Sequence, residues 1–174
     1  AQVDAVNAFT TGTVTPTSVT EDRADIATLQ GTAGISLSTT NITVTDQVTK
    51  GQADTINGYT TGQVVLNNAS DTVANLATIE ALDDSEMKFA DDSSITVTDQ
   101  ATKTQLDTIN GYTTTAVSVA TITGTLTEIT ALHNDAGLDI SGALINVTDA
   151  VSLSQANTLN GYTTGQVTLT SVSD

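Results

Sequence analysis

One five-residue phrase returns four times in this chain. It reads Asn7-Ala8-Phe9-Thr10-Thr11, Asn57-Gly58-Tyr59-Thr60-Thr61, Asn110-Gly111-Tyr112-Thr113-Thr114 and Asn160-Gly161-Tyr162-Thr163-Thr164. The intervals are 57 − 7 = 50, 110 − 57 = 53 and 160 − 110 = 50. A period of that size is the mark of stacked supersecondary units, each too small to bury its own apolar side.

A shorter period lies inside it. Acids follow short apolar-alternating runs at Glu21, Asp46, Asp71, Asp99, Asp149 and Asp174, with Gly124 in the remaining slot. Successive steps are 25, 25, 28, 25, 25 and 25 residues, the long one holding a three-residue insertion placed near Ser85–Asp92. Two kinds of unit therefore alternate. Type A contains the Asn-Gly-Tyr phrase and type B does not. The units are expected at about 1–21, 22–46, 47–71, 72–99, 100–124, 125–149 and 150–174. Together they read as a single continuous segment, uncapped at both ends.

Before each acid the chain has the period of a strand. Val19, Val44, Ala69, Val97, Ile122, Val147 and Val172 stand two residues ahead, flanked by Thr, Ser or Asn. Alternation of apolar and small polar residues, rich in β-branched types, marks a half-buried strand. After the acid the period becomes helical. Val73, Leu76, Ala77, Ile79 and Leu82 recur at three and four, as do Leu126, Ile129 and Leu132. Asn57-Gly58 is expected to end a helix with glycine in the left-handed region. A hairpin turn is the rival. A further apolar run follows each helix, as at Val64–Leu66 or Met87–Phe89. It is either a second strand or an irregular connector.

The fold class expected is α/β. It is a repeat solenoid of strand–helix units with a stacked parallel sheet, broadly like a leucine-rich repeat but without that Leu-Asn consensus. Aromatics are 3% of residues, so the core must be aliphatic.

Charge excludes several functions. Twenty acids against four bases give a formal charge of −16. Nucleic-acid binding needs clustered Lys and Arg, and an anionic membrane would repel this chain. No run of about 18 apolar residues offers a membrane span. There is no cysteine, hence no disulfide or thiolate metal site.

The repeated columns carry the candidate chemistry. Asp46, Asp71, Asp99 and Asp149 precede helices, where carboxylates cap helix N-termini. The sharper reading is a cation column. Stacked strands about 4.8 Å apart would bring carboxylates close enough for Ca²⁺ to bridge. The outward ladder Thr43-x-Thr45, Thr96-x-Thr98, Thr121-x-Thr123 is an ordinary strand face, or else an ice-binding plane interrupted at Ser18, Asn68, Asn146 and Ser171. Phe9, Tyr59, Tyr112 and Tyr162 are expected as core packing with a hydroxyl at the rim, a carbohydrate platform being the minority reading. The asparagines beside them should satisfy backbone groups of the turn. His133 is the only histidine and is read as a surface side chain. Lys50 and Lys103 read as isolated solubilising charges. Every unit carries equivalent acids, whereas catalysis rests on one asymmetric pocket, so no enzyme is expected.

Phrases such as Ile42-Thr-Val-Thr-Asp46, Asp54-Thr-Ile-Asn-Gly-Tyr-Thr-Thr-Gly62 and Ser70-Asp-Thr-Val-Ala-Asn-Leu-Ala-Thr-Ile79 resemble repeats of very long surface or secreted bacterial proteins, notably of marine cyanobacteria. The resemblance covers essentially the whole chain. It implies an extracellular or cell-surface structural module in a filament, sheath, surface layer or adhesin stalk. Its partners would be further copies of the same repeat, as a homo-oligomer or fibre. The alternative is an ice- or glycan-binding repeat protein that uses the Thr/Ser/Asn ladder.

Overall fold

The computed structural model describes residues 2–173. The chain is α/β, with helices and parallel strands in near-strict alternation. In order these are α1 (Gln2–Asn7), β1 (Ser18–Glu21), α2 (Arg23–Gly31), β2 (Asn41–Val48), α3 (Lys50–Asn57), β3 (Val64–Asp71), α4 (Val73–Glu80) and β4 (Met87–Ala101). They continue with α5 (Lys103–Asn110), β5 (Val117–Gly124), α6 (Leu126–His133), β6 (Leu138–Asp139), β7 (Leu144–Ser152), α7 (Leu153–Asn160) and β8 (Val167–Ser173). Two compact units form, one from residues up to 69 with 78–93, the other from 70–77 with 94 onward.

In the first unit β1, β2 and β3 pair in parallel, Val19 opposite Ile42 and Ile42 opposite Val64. Val19, Ile42, Val44, Val64 and Leu66 bury one face of this sheet, with Ile26, Leu29 and Ile56 of the helices beside them in the core. β1 is short for a covalent reason. Val14 already bridges Ile35, but Pro16 then interrupts the ladder, and pairing resumes at Ser18.

In the second unit the C-terminal half of β4 pairs with β5, β5 with β7, and β7 with β8, all in parallel. The two-residue β6 adds to β5 through Val117 and Leu138. Ile95, Val97, Val117, Ile122, Ile145 and Val151 form the strand side of this core, and Leu106, Ile109, Ile129 and Leu132 the helix side. Both cores are aliphatic. Large aliphatics on one helical stripe cover the buried side chains of strands that a lone unit would leave wet.

Three expectations need correction. First, the apolar run after each type-A helix is no second strand. Val64–Leu66, Val117–Val119 and Val167–Leu169 open β3, β5 and β8, the same strands that end at the acid-column positions. Each is one continuous strand whose two apolar halves look separate in sequence.

Second, repeat-equivalent residues do not stand opposite each other. Val19 faces Ile42, not Val44, and Val44 faces Leu66, not Ala69. The spatial offset at the first pair is 42 − 19 = 23 residues where the sequence repeats at 25. Each strand slides along its neighbour.

Third, strict alternation fails inside the strands. The ladder shifts register between Val44 and Gln47, Val97 and Gln100, and Val147 and Ala150. In each case two residues of the type-B strand lie where its partner has one, which is a β-bulge. The bulged pairs are Thr45-Asp46, Thr98-Asp99 and Thr148-Asp149, so the acid column sits on the bulge.

Candidate functional site

The bulge explains what the acids do. An extra residue re-aims the next side chain out of the pleat, here toward the preceding helix. Asp46 Oδ1 accepts the backbone N–H of Arg23 at 2.8 Å. Asp99 Oδ1 accepts that of Val73 at 2.9 Å, and Asp149 Oδ1 that of Leu126 at 2.9 Å. Arg23, Val73 and Leu126 are the first residues of α2, α4 and α6. Each carboxylate therefore closes an orphan donor at the positive end of the helix that opens its own repeat unit. The Arg23 guanidinium lies 3.9 Å from Asp46 Oδ2, an exposed contact of little energetic weight.

A carbonyl in or just before the bulge is held from the other side. Asn68 Nδ2 donates to Thr45 O at 2.6 Å, and Thr170 Oγ1 to Val147 O at 2.7 Å. One strand thus receives a side chain from the next strand and gives one to the previous helix.

This corrects the capping assignment. Asp46, Asp99 and Asp149 do not cap the helices that follow them. Those helices are capped instead by Thr49, Thr102 and Ser152, which form capping boxes with Gln52, Gln105 and Gln155. Thr125 and Glu128 make the same box on α6, and Asp22 caps α2 alone. Asp71 differs again, accepting Thr72 N–H and Asn75 Nδ2, each at 2.8 Å. Glu21 stands opposite Val44 rather than Asp46, so the acids do not stack in register. Asp174 lies outside the described residues. Among the described residues no group of three or more His, Cys, Asp or Glu could hold a metal ion.

The recurring phrase is a second lock. Its asparagine reaches forward: Asn7 Nδ2 donates to Ala33 O at 3.0 Å and Asn57 Nδ2 to Glu86 Oε1 at 2.8 Å. Its threonines reach back. Thr60 Oγ1 donates to Thr40 O at 2.7 Å, and Thr61 donates to Ser38 O through both N–H and Oγ1, at 2.9 and 3.0 Å. Thr163 and Thr164 repeat this on Ala143 O and Ser141 O. The asparagines thus serve a neighbouring repeat rather than their own turn. The glycine in the phrase is also not left-handed: Gly58, Gly111 and Gly161 have φ of −66°, −69° and −80°. The glycine that space does require comes after the threonines. A Cβ on Gly62 would lie 2.5 Å from Thr40 O.

Other columns fall as follows. Tyr59 helps to line an open groove of about 300 Å³ between α2 and α3, with Arg23, Ala24, Ala27, Gln52, Thr55 and Ile56. Tyr162 stacks on His133 with ring centres 3.9 Å apart, so the histidine, though exposed, has a partner. Phe9 is 91% exposed, contrary to the expected core packing. Lys50 and Lys103 are not isolated but pair at i,i+4 with Asp54 and Asp107, each at 2.6 Å. The hydroxyl ladder is broken: Thr20 faces Thr43, but Thr43 next faces Val65, and Thr123 faces Asn146.

Four carboxyls are perturbed. The Thr125 N–H and then its hydroxyl hold Glu128 below the usual range, and Ser85 and Ser141 hydroxyls do the same for Asp83 and Asp139. Burial, with Asp84 nearby, pushes Glu80 up. A carboxyl held low contributes stability above its unfolded pKa, lost as pH falls through the folded value. Glu80 works in reverse, its contribution fading as pH rises through its raised value.

No protein-family model matches the sequence, and no curated protein or solved structure matches it. No helix among the described residues is long and apolar enough to cross a membrane.

Two outcomes follow from the site. Gly58→Ala should change stability by less than about 1 kcal/mol, because its backbone is right-handed and Ala8 already fills that slot. Gly62→Ala should cost several-fold more, because the added carbon meets a backbone oxygen. Chemical denaturation of both variants checks this, and equal costs would contradict it. Glu128→Gln should leave melting near neutral pH almost unchanged, since glutamine completes the same box. The variant should then lose less stability than the parent on acidification, as pH falls through the depressed value at which the Glu128 carboxyl would otherwise take up its proton.

Proposed function

We propose that this chain is a structural repeat module: a length of α/β solenoid, loosely like a leucine-rich repeat, serving as a spacer, stalk, sheath or filament element of a secreted or cell-surface bacterial protein. One observation carries the reading. The side chains that recur with the repeat are spent on the repeat itself: Asp46, Asp99 and Asp149 tie a strand to the helix of its own unit, and Thr60 and Thr163 tie one unit to the unit before it. Chemistry that serves adjacency in every copy suits a protein whose task is length. The charge of −16 keeps so aliphatic an array soluble and discourages lateral collapse. An ice-binding plane would call for an unbroken hydroxyl ladder, and Val65 and Asn146 stand in it.

The test is growth by insertion. A duplicate of one A–B pair placed in frame should lengthen the particle by about 10 Å, two strand spacings, at constant cross-section. Small-angle scattering reads both dimensions. Growth in all directions, as in a globule, would refute the module. Immunogold labelling of the source cells tests location, and purely cytoplasmic label would refute that part.

A further inference from the structure

The helix pairs α2–α3 and α6–α7 are repeat equivalents, yet they differ around one tyrosine. Tyr162 matches Tyr59, since 162 − 103 = 59, and His133 matches Gln30, since 133 − 103 = 30. The imidazole of His133 lies flat on Tyr162, ring centres 3.9 Å apart and planes 13° from parallel. Its counterpart Gln30 is exposed and has no ring to offer Tyr59. The helix surface differs too. α6 has Thr127 and Thr130 where α2 has Ala24 and Ala27. The smaller side chains leave room for the open groove of about 300 Å³ against Tyr59. Both helices have a strand of the same sheet before and after them, so the groove lies within the array and not at its edge.

We propose that this groove binds a neutral pyranose, with the C–H face of the sugar ring on Tyr59. The site goes beyond the structural-module reading and does not depend on it. The stacked His133 shows that a tyrosine in this setting takes a flat ring against its face. Polar groups along the groove are of mixed character. Gln52 Oε1 accepts the Thr49 N–H at 2.9 Å, which leaves the amide nitrogen to donate. Thr55 Oγ1 donates to Gly51 O at 2.9 Å, which leaves its lone pairs to accept. A sugar hydroxyl donates and accepts at once and matches both. A hydrocarbon ring would leave them unmet. Charge argues for a neutral ligand. The Arg23 guanidinium in the groove opposes a cation, while Asp46 at 3.9 Å from it and the chain's charge of −16 oppose an anion. The volume stands at the low end of small-molecule sites, about 300–1,000 Å³, and suits a single sugar residue.

Methyl glycosides of glucose, galactose and mannose, titrated into the intact chain with amide and tyrosine-ring NMR as readout, test this. At least one should give saturable shifts confined to α2, α3 and Tyr59, with a Kd of about 1 mM, as expected of a small ligand in an open site. Glycerol at equal concentration should not saturate. Ala24→Thr with Ala27→Thr, which copies the surface of α6, should weaken binding about tenfold, and so should Tyr59→Leu, the amide spectrum reporting that each variant is folded. A tetrasaccharide of the bound sugar that binds tighter than the monomer marks a glycan chain as the source, and equal binding marks a free sugar; both uphold the site. No saturation by any of the three glycosides up to about 100 mM, the same response to glycerol, or unchanged affinity in either variant would overturn it and leave the stacked module standing.

Discussion

A short helix in water has donors it cannot satisfy and too few turns to hold itself together, and the rest of this structure follows from that. α4 and α6 have only eight residues, below the length at which an isolated helix persists. Each needs apolar cover on one side and a partner for its first N–H groups. The strand that follows in the same unit supplies the polar part, through Asp99 or Asp149, while the strands supply the cover. The helix and the strand of one unit therefore complete each other.

The β-bulge lets one strand do two jobs. A regular strand puts alternate side chains up and down, so a residue next to buried valine could only point away from the helices. The extra residue at Thr45-Asp46 breaks the alternation and turns a carboxylate along the sheet toward the helix N-terminus. The freed carbonyl is then met by Asn68 from the following strand. In the second unit Asp149 and Thr170 repeat the arrangement about the bulge in β7. The same device recurring in separate places marks it as part of the repeat's design.

Much of this was legible in the sequence, and the failures have definite causes. Repeat period, α/β class, parallel pairing and the aliphatic core all follow from periodicity, and the buried set Val44, Ala69, Val97, Ile122 was read correctly. The register was not, because a sequence period fixes which residues are equivalent but not how far each strand slides on its neighbour. The acid column was found but given to the wrong helix. Its recognition rested on position just ahead of a helix, while the true caps, Thr49, Thr102 and Ser152, carried a plain signal in the glutamine three residues on. The Asn-Gly pair suggested a left-handed glycine. The helix instead ends in a tighter last turn, with Tyr59 N–H donating to Ile56 O at 2.9 Å. Locks reaching across to another repeat have no local signature at all, and nothing short of coordinates could assign Thr60 to Thr40.

The central claim is that a carboxylate on a bulged strand completes the helix that precedes that strand in the same repeat, not the helix that follows it. Residue-resolved amide hydrogen exchange on Asp149→Ala tests it most directly. The account predicts faster exchange at Leu126 and the first turn of α6, with the start of α7 unaffected. Loss of protection at α7 with α6 unchanged would show that the acid serves its own helix, and the account would be wrong.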